Sequence, residues 1–160
     1  MTSGHHADVT PTVEVVPATL EHKPAIARLF ELYAYDFTEF TDEDVNDDGS
    51  YAYPYLDAYW TEPERHPFLF RADGRIAGFA FVRAGAPHDM AEFFVLRKYR
   101  ARGVSVPAAR AVFARFPGDW QVRELTANTR ATAFWRKAIP VPFTEDTNDK
   151  GPVQHFHMHE

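Results

Sequence analysis

The segment AEFFVLRKYRARGVSVPAARAVFARF, residues 91–116, constrains the fold more than any other part of the chain. It begins with an apolar run, passes through clustered arginine and lysine residues to Gly103, and continues with apolar residues at helical spacing. This pattern predicts a strand, a basic turn containing glycine, and a helix, in that order. A strand followed directly by a helix is typical of a sheet that carries helices on its faces.

The basic turn has the properties of a phosphate-binding site. A glycine lets the backbone approach a ligand closely, and the first turn of a helix offers N–H groups without helical partners at the positive end of its dipole. Arg100 and Arg102 add positive charge, and Pro107 suits the first helical turn because it has no N–H to satisfy. The residues alone leave open the alternative of an ordinary basic loop between a strand and a helix.

The other elements follow from their hydrophobic patterns. The patterns predict strands over 13–18, 89–96, 120–126 and 152–159, helices over 21–37, 104–116 and 130–138, and a short aromatic helix over 55–60. Two apolar runs around Asp73-Gly74 predict a hairpin. Residues 1–12 are polar and small, so we expect a flexible tail followed by one domain over 13–160.

Composition limits the classes of function. The absence of Cys excludes disulfides, thiolate nucleophiles and Cys-based zinc sites. A net charge of −6 argues against nonspecific nucleic-acid binding, which depends on neutralising phosphates. No apolar run reaches transmembrane length, and the first residues lack a signal-peptide core. We therefore expect a cytoplasmic monomer or homodimer that contacts neither nucleic acid nor membrane.

Two patterns resemble metal sites but are interpreted otherwise. DVNDDG at 44–49 matches the start of an EF-hand loop, yet Tyr55 stands at the twelfth position, where a bidentate glutamate is required. Three histidines with period two are expected to face solvent from the last strand: His155, His157 and His159. His5 and His6 belong to the expected tail. We expect no metal site.

Two segments in order resemble the motifs of the Gcn5-related N-acetyltransferases (GNAT). FFVLRKYRARGVS resembles the first motif, an apolar strand followed by Arg/Gln-x-x-Gly-x-Gly/Ala and a helix, except that Ser105 stands where Gly or Ala is usual. NTRATAFWRKAI resembles the second motif, with Asn128, Ala131 and Phe134 at matching positions. One helix and one strand separate the motifs, as in the family, and the resemblance covers residues 13–160.

The resemblance implies an α/β fold with a central mixed sheet of six to seven strands, helices on both faces, and the order β-α-α-β-β-β-α-β-α-β-β. It also implies an acetyl-CoA-dependent N-acetyltransferase that moves the acetyl group directly to an amine. The chain is similar to a bacterial subgroup of predicted acetyltransferases without a defined substrate. The acidic, tyrosine-rich segment 36–60 favours a small cationic acceptor. A protein acceptor, and a non-catalytic acyl-CoA-binding module or sensor, remain alternatives.

The resemblance also implies which residues hold acetyl-CoA. The strand backbone would bond the pantetheine and acetyl groups, the turn backbone would bind the pyrophosphate, and the second motif would line the pantetheine arm. The residues concerned are Phe93, Phe94, Val95, Arg100, Ala101, Arg102, Gly103, Val104, Ser105, Val106, Asn128, Phe134 and Trp135.

Trp135 stands where many family members have a tyrosine that protonates the leaving thiolate. An indole N–H donates a hydrogen bond but does not transfer a proton, so the thiolate would be protonated by another group, by water, or not at all before release. Trp135 is then either a packing residue or a sign of a non-catalytic binding module. Glu92 is the candidate general base, because partial burial raises a carboxyl pKa towards neutrality, with a strand-end ion pair as the alternative. His88 and Asp89 are weaker candidates. The candidate acids are Tyr33, Tyr35, Tyr53 and Tyr55.

Overall fold

The computed structural model describes residues 9–160. Its strands are β1 (Val13–Pro17), β2 (Arg65–Ala72), β3 (Arg75–Arg83), β4 (His88–Val95), β5 (Gly118–Arg123), β6 (Phe143–Thr147) and β7 (Pro152–Met158). Its helices are α1 (Lys23–Phe37), α2 (Arg97–Arg100), α3 (Ser105–Phe113) and α4 (Thr129–Ala138), with 3-10 turns at Leu20–His22 and Asp57–Trp60. The strands form one mixed sheet of seven in the order β1-β2-β3-β4-β5-β7-β6. The predicted mixed α/β fold is confirmed.

The central hairpin buries large side chains on both faces of the sheet. Phe68 and Phe70 face α3 and α4, whereas Leu69, Phe79 and Phe81 face α1. Because both faces are covered, β2 and β3 are apolar along most of their length instead of alternating with polar residues. Each such side chain contributes about 1.5–3 kcal/mol to folding through its burial.

The two middle strands separate soon after they begin. β4 and β5 pair in parallel only between residues 88–89 and residues 120–121. Beyond that point β4 continues along β3, while β5 continues along β7, so the sheet opens at its centre. Within residues 9–160, one edge of β4 after Asp89 therefore has no strand partner, and its backbone N–H and C=O groups are available to a ligand.

A bulge in β4 brings two carboxylates to the same face. Phe81 lies opposite Glu92 and Arg83 lies opposite Asp89, with Ala91 as the extra residue in β4. Opposite residues on paired strands share a face, so Asp89 and Glu92 both face the α1 side, although strict alternation would separate residues three apart. Bulges of this kind often re-aim side chains beside active sites.

The basic turn after β4 contains one extra helical turn. α2 spans Arg97–Arg100, and Gly103 follows with a φ of +77°, in the left-handed region that favours glycine. α3 then begins at Ser105 and carries Pro107 near its start. The predicted order of strand, basic turn and helix is thus present, with α3 ending at Phe113, earlier than predicted.

Several boundaries differ from the sequence predictions. The segment predicted as an aromatic helix over 55–60 forms only a 3-10 turn at Asp57–Trp60. β5 begins at Gly118, two residues before the predicted strand 120–126. The sequence pattern gives no residue range for β6, because FTEDT has no apolar alternation. In the structure this strand is largely exposed.

The start of the described chain is anchored to the hairpin. Residues 1–8, including His5 and His6, lie outside the described residues. Pro11 is buried, and the backbone N–H of Thr12 donates to Asp73 Oδ1 at 2.8 Å while the Asp73 N–H donates to the Thr12 carbonyl at 2.9 Å. The part of the predicted tail that the structure describes is therefore held against the domain by residues 11–12.

The metal-like patterns remain unassembled in the described part of the chain. Among residues 9–160, no group of three or more His, Asp or Glu side chains is arranged to hold a metal ion. His157 Nδ1 lies 2.7 Å from Asp119, and Phe156 beside it is buried, as expected for a strand whose histidines face solvent. The helices described here are all too short or too polar to cross a bilayer.

Candidate active site

A cleft of about 630 Å³ opens where β4 and β5 separate. Its walls come from the end of α1, from β4, the basic turn, α4, the end of β5 and the β6–β7 turn. The volume is that of a small-molecule site. Most of the residues predicted to hold the donor line it, namely Phe93, Phe94, Val95, Arg100, Gly103, Ser105, Val106, Asn128, Phe134 and Trp135. Ala101, Arg102 and Val104 are not part of the lining, and Val104 is fully buried beneath the turn.

Asn128 has a structural task at the start of α4. Its Oδ1 accepts the backbone N–H of Ala131 at 3.2 Å, which caps the helix. The cap fixes the first turn of α4 beside the end of β5, and both Asn128 and Ala131 line the cleft. The asparagine in the second motif thus shapes the cleft wall through its cap.

Ion pairs join the end of α1 to the basic elements of the cleft. Arg97 Nη2 and Arg100 Nη2 lie 3.2 and 3.3 Å from the two carboxylate oxygens of Asp36. Arg130 Nη2, at the start of α4, lies 2.8 Å from Glu39 Oε1. Partly exposed pairs of this kind contribute about 0–1 kcal/mol each, so a phosphate group can compete for the arginines. The two acids are already neutralised by these partners.

Glu92 has a strongly perturbed pKa on the α1 side of the cleft. Burial raises the pKa of Glu92 to about 7, the Asp89 carboxylate also raises it, and the Tyr33 hydroxyl and Arg123 act in the opposite direction. Among residues 9–160, no ion pair involves Glu92; Asp89 makes the strand-end pairs instead, with Arg83 and Arg123. A carboxyl group with a pKa near 7 suits proton transfer at neutral pH.

Of the four candidate tyrosines, Tyr33 alone lines the cleft. Burial, together with the charge and hydrogen-bonding interaction of Glu92, holds the pKa of Tyr33 well above its usual value, so it stays a hydrogen-bond donor. Tyr53 lies behind it, stacked on Phe30 with ring centroids 4.2 Å apart. Tyr35 and Tyr55 point to solvent, with 67% and 52% of their surface exposed.

Trp135 is packed into the core on the opposite side of the sheet. Only 6% of its surface is exposed. Its ring meets Phe93, Phe113 and Phe134 with centroid distances of 5.0, 5.9 and 4.8 Å; the contacts with Phe93 and Phe134 are edge-to-face, and that with Phe113 is tilted. Such edge-to-face contacts add to the stabilisation from burial. Of the two interpretations of this position, the packing one fits these contacts.

Replacing Trp135 with tyrosine is expected to lower the free energy of unfolding by ~1–3 kcal/mol without raising turnover. The smaller ring leaves a partial void, and a buried hydroxyl needs a partner. Urea unfolding and thiol release, measured on the same preparation, test this. Trp135→Phe is the matched control, because it leaves a similar void without a hydroxyl. A clear gain in turnover for the tyrosine variant alone would show that the position lacks an acid.

The structure adds cleft residues that the sequence did not single out. Arg123 and Glu124 come from β5 and its end, and Lys150 comes from the β6–β7 turn. Glu124 is buried, which raises its pKa, and its Oε1 accepts a 2.9 Å hydrogen bond from Gln154 Nε2 on β7. The sequence gives no signal for β6, so it does not predict that the β6–β7 turn with Lys150 reaches the cleft. The alternation of apolar and polar residues along β5 is weak at Arg123 and Glu124, so it does not predict their position either.

One family model matches the part of the chain that contains most of the cleft residues. The model of the family described as "Acetyltransferase (GNAT) family" matches residues 26–139, which include the cleft residues of α1, β4, the basic turn, β5 and α4. No curated protein matches the sequence.

Solved structures share the fold at low identity. The GNAT domain of S. lividans PAT is 14% identical, with 96% of this chain and 98% of that chain covered and a TM-score of 0.68. Spermidine N-acetyltransferase from Vibrio cholerae, in complex with CoA and spermine, is 8% identical, with coverages of 91% and 95% and a TM-score of 0.66. An acetyltransferase from Thermus thermophilus is 16% identical, with coverages of 90% and 94% and a TM-score of 0.65.

Proposed function

This chain belongs to the acetyltransferase (GNAT) family of acyltransferases, and we propose that it moves an acetyl group from acetyl-CoA directly to the primary amine of a small acceptor. One observation carries the proposal: the Glu92 carboxyl, with its pKa raised to about 7 by burial, lines the same cleft as the unpaired edge of β4. A proton acceptor thus stands beside a strand edge that can bind an extended amide-containing ligand.

The donor side of the cleft suits acetyl-CoA. The pantetheine arm contains amides, which pair with a free strand edge as a peptide does. The pyrophosphate fits the first turn of α3, where Gly103 keeps the approach free of a Cβ and Arg100 adds charge. The similar Vibrio cholerae enzyme binds CoA, which supports the same donor here.

The residues of the α1 side account for proton transfer in the proposed reaction. As the amine nitrogen bonds to the thioester carbonyl carbon, Glu92 takes its proton, and the carbon–sulfur bond breaks with its electron pair on sulfur. Tyr33 gives its proton to the thiolate and regains one from Glu92, so no free phenolate forms. The relay is needed because the raised pKa of Tyr33 makes it a poor acid alone. The products are the N-acetylated acceptor and CoA thiol.

The two alternatives, a protein acceptor and a non-catalytic binding module, require different properties of the cleft. Tyr33, Phe37 and Phe40, from α1 and the turn after it, line one side of the cleft. The cleft as a whole, its donor side included, has the volume of a small-molecule site, which supports a small acceptor. The aromatic 51–60 segment packs on the sheet and does not line the cleft, with Tyr59 stacked on Phe81 at a centroid distance of 4.1 Å. The raised carboxyl pKa in the cleft favours a catalytic role over a non-catalytic module, which needs no proton acceptor there. We propose that the protein acts in the cytoplasm as a monomer or homodimer.

The proposal is tested by incubating the purified chain with acetyl-CoA and a panel of primary amines while free thiol is followed. Amine-dependent thiol release, with the acetylated product identified by mass, is the expected result. Acetyl-CoA binding without turnover of any amine or peptide would favour the binding module. Turnover confined to peptides would favour a protein acceptor.

A further inference from the structure

Arg123 presents a partly free guanidinium to the α1 side of the cleft. Its Nη2 lies 2.7 Å from Oδ2 of Asp89, a carboxylate that is only 3% exposed and therefore fixed in place. In the described part of the chain this is the only hydrogen bond that the Arg123 side chain makes, and 48% of the side chain remains exposed. A guanidinium has five N–H donors, so most of them are left for a ligand.

Glu92 and Arg123 carry opposite charges in one cleft without contacting each other. No ion pair within 4 Å joins them among residues 9–160, yet Arg123 lies near enough to lower the pKa of Glu92. Asp89, which fixes Arg123, shares the α1 face with Glu92 because of the bulge at Ala91. Two separated, opposite charges of this kind are bridged by a ligand that has both an amine and a carboxylate, since an arginine binds a carboxylate with paired hydrogen bonds.

The other charged residues of the cleft do not favour an acceptor with a positive charge besides its amine. Asp36 and Glu39, at and just after the end of α1, are already paired with arginines. Glu124, the remaining acid of the lining, is buried, which raises its pKa and favours its uncharged form. Lys150 lines the cleft, and the structure pairs it with no acid among the described residues. Beside these groups, Tyr33 and Phe37 form an aromatic wall with ring centroids 5.8 Å apart. The wall suits an apolar or aromatic side chain.

We infer that the acceptor is a free amino acid with a large apolar or aromatic side chain, whose amine meets Glu92 and whose carboxylate binds Arg123. The inference rests on the proposed function and replaces the cationic acceptor expected from the acidic segment 36–60. Arg123 is then the residue that selects for the carboxylate, while the end of α1 selects for the side chain.

The chain offers a matched control for the test. Arg83 pairs with the same Asp89 oxygen, at 3.2 Å, and is also 48% exposed, but it does not line the cleft. Arg83→Gln therefore removes one of the two partners of Asp89, as Arg123→Gln does, without removing a guanidinium from the cleft. Arg123→Lys keeps a charge near Asp89 and serves as the second variant where glutamine unfolds the chain.

The experiment measures kcat/KM for phenylalanine and for phenethylamine, which lacks only the carboxylate, with acetyl-CoA as donor. The wild-type protein is expected to prefer phenylalanine, and Arg123→Gln to reduce that preference about 10–100-fold, the usual effect of losing a charge-assisted hydrogen bond. The effect is expected in KM more than in kcat. Arg83→Gln is expected to retain the wild-type preference, and Arg123→Lys to fall between the two.

The outcomes separate this inference from the function on which it rests. Equal or faster turnover of phenethylamine by the wild-type protein would overturn the inference and leave the acetyltransferase proposal standing. An equal loss of preference in Arg83→Gln and Arg123→Gln would assign the effect to Asp89 packing and would also overturn it. No thiol release with any amine, amino acid or peptide would overturn both.

Discussion

Replacing Glu92 with glutamine is expected to lower kcat/KM about 10²–10⁴-fold at neutral pH, the usual size of a general-base contribution. Glutamine has nearly the same shape and can still accept a hydrogen bond from Tyr33, but its amide cannot take a proton from the amine. Acetyl-CoA affinity, measured by calorimetry, is expected to stay close to that of the wild-type protein because the donor is proposed to bind through backbone groups and the basic turn.

The pH dependence gives a second measurement of the same prediction. In the proposed reaction the ionised form of Glu92 is the base. Burial raises its pKa to about 7, so the wild-type rate is expected to rise as the pH increases through about 7. In Glu92→Gln this rise disappears. A separate rise at higher pH remains in both proteins because the amine of the acceptor itself loses its proton there.

Tyr33→Phe is the matched control for the pH profile. The Tyr33 hydroxyl acts on Glu92 in the direction that lowers its pKa, so removing the hydroxyl raises that pKa and moves the rise to higher pH. The rise itself persists because Glu92 is still present. If Glu92→Gln turns over at nearly the wild-type rate across the whole pH range, Glu92 is structural and a water molecule takes the proton.

The sequence predicted the part of the site that depends on local chemistry. The apolar run of β4, the basic turn with Gly103 and the helical pattern that follows lie within 26 consecutive residues, 91–116, and each obeys a local rule of period or turn chemistry. The hairpin around Asp73-Gly74 is local in the same sense, and both glycines have the positive φ that their turns require.

The parts that the sequence did not predict depend on contacts between distant strands. The bulge at Ala91, which puts Asp89 on the face of Glu92, is set by the register with β3. Arg123 is aimed by that buried Asp89, 34 positions earlier in the chain. The exposed strand β6 carries no apolar alternation, so its turn could not be placed at the cleft. Four tyrosines looked equivalent as candidate acids, and only the packing of α1 separated Tyr33 from the rest.

Replacing Gly103 with glutamate is expected to abolish measurable acetyl-CoA binding while the fold is retained. A built Cβ at Gly103 has its nearest contacts with Thr10, at 3.7 and 3.8 Å, which are ordinary van der Waals distances. A Cβ at this position therefore fits without a clash, at a backbone cost of roughly 1–2 kcal/mol for a φ of +77°. The carboxylate would, however, stand at the first turn of α3, where the pyrophosphate is proposed to bind.

Two controls separate charge, bulk and backbone strain in this last prediction. Gly103→Gln has the size of glutamate without its charge, so calorimetry should show acetyl-CoA binding that is weakened rather than lost. Gly74→Glu introduces the same side chain at a φ of +81° in the β2–β3 turn, which does not line the cleft, and should lower the melting temperature without changing acetyl-CoA affinity. If Gly103→Glu binds acetyl-CoA as tightly as Gly74→Glu does, the basic turn is not the phosphate site. Arg100 and the start of α3 would then be ordinary features of the connection between β4 and its helix.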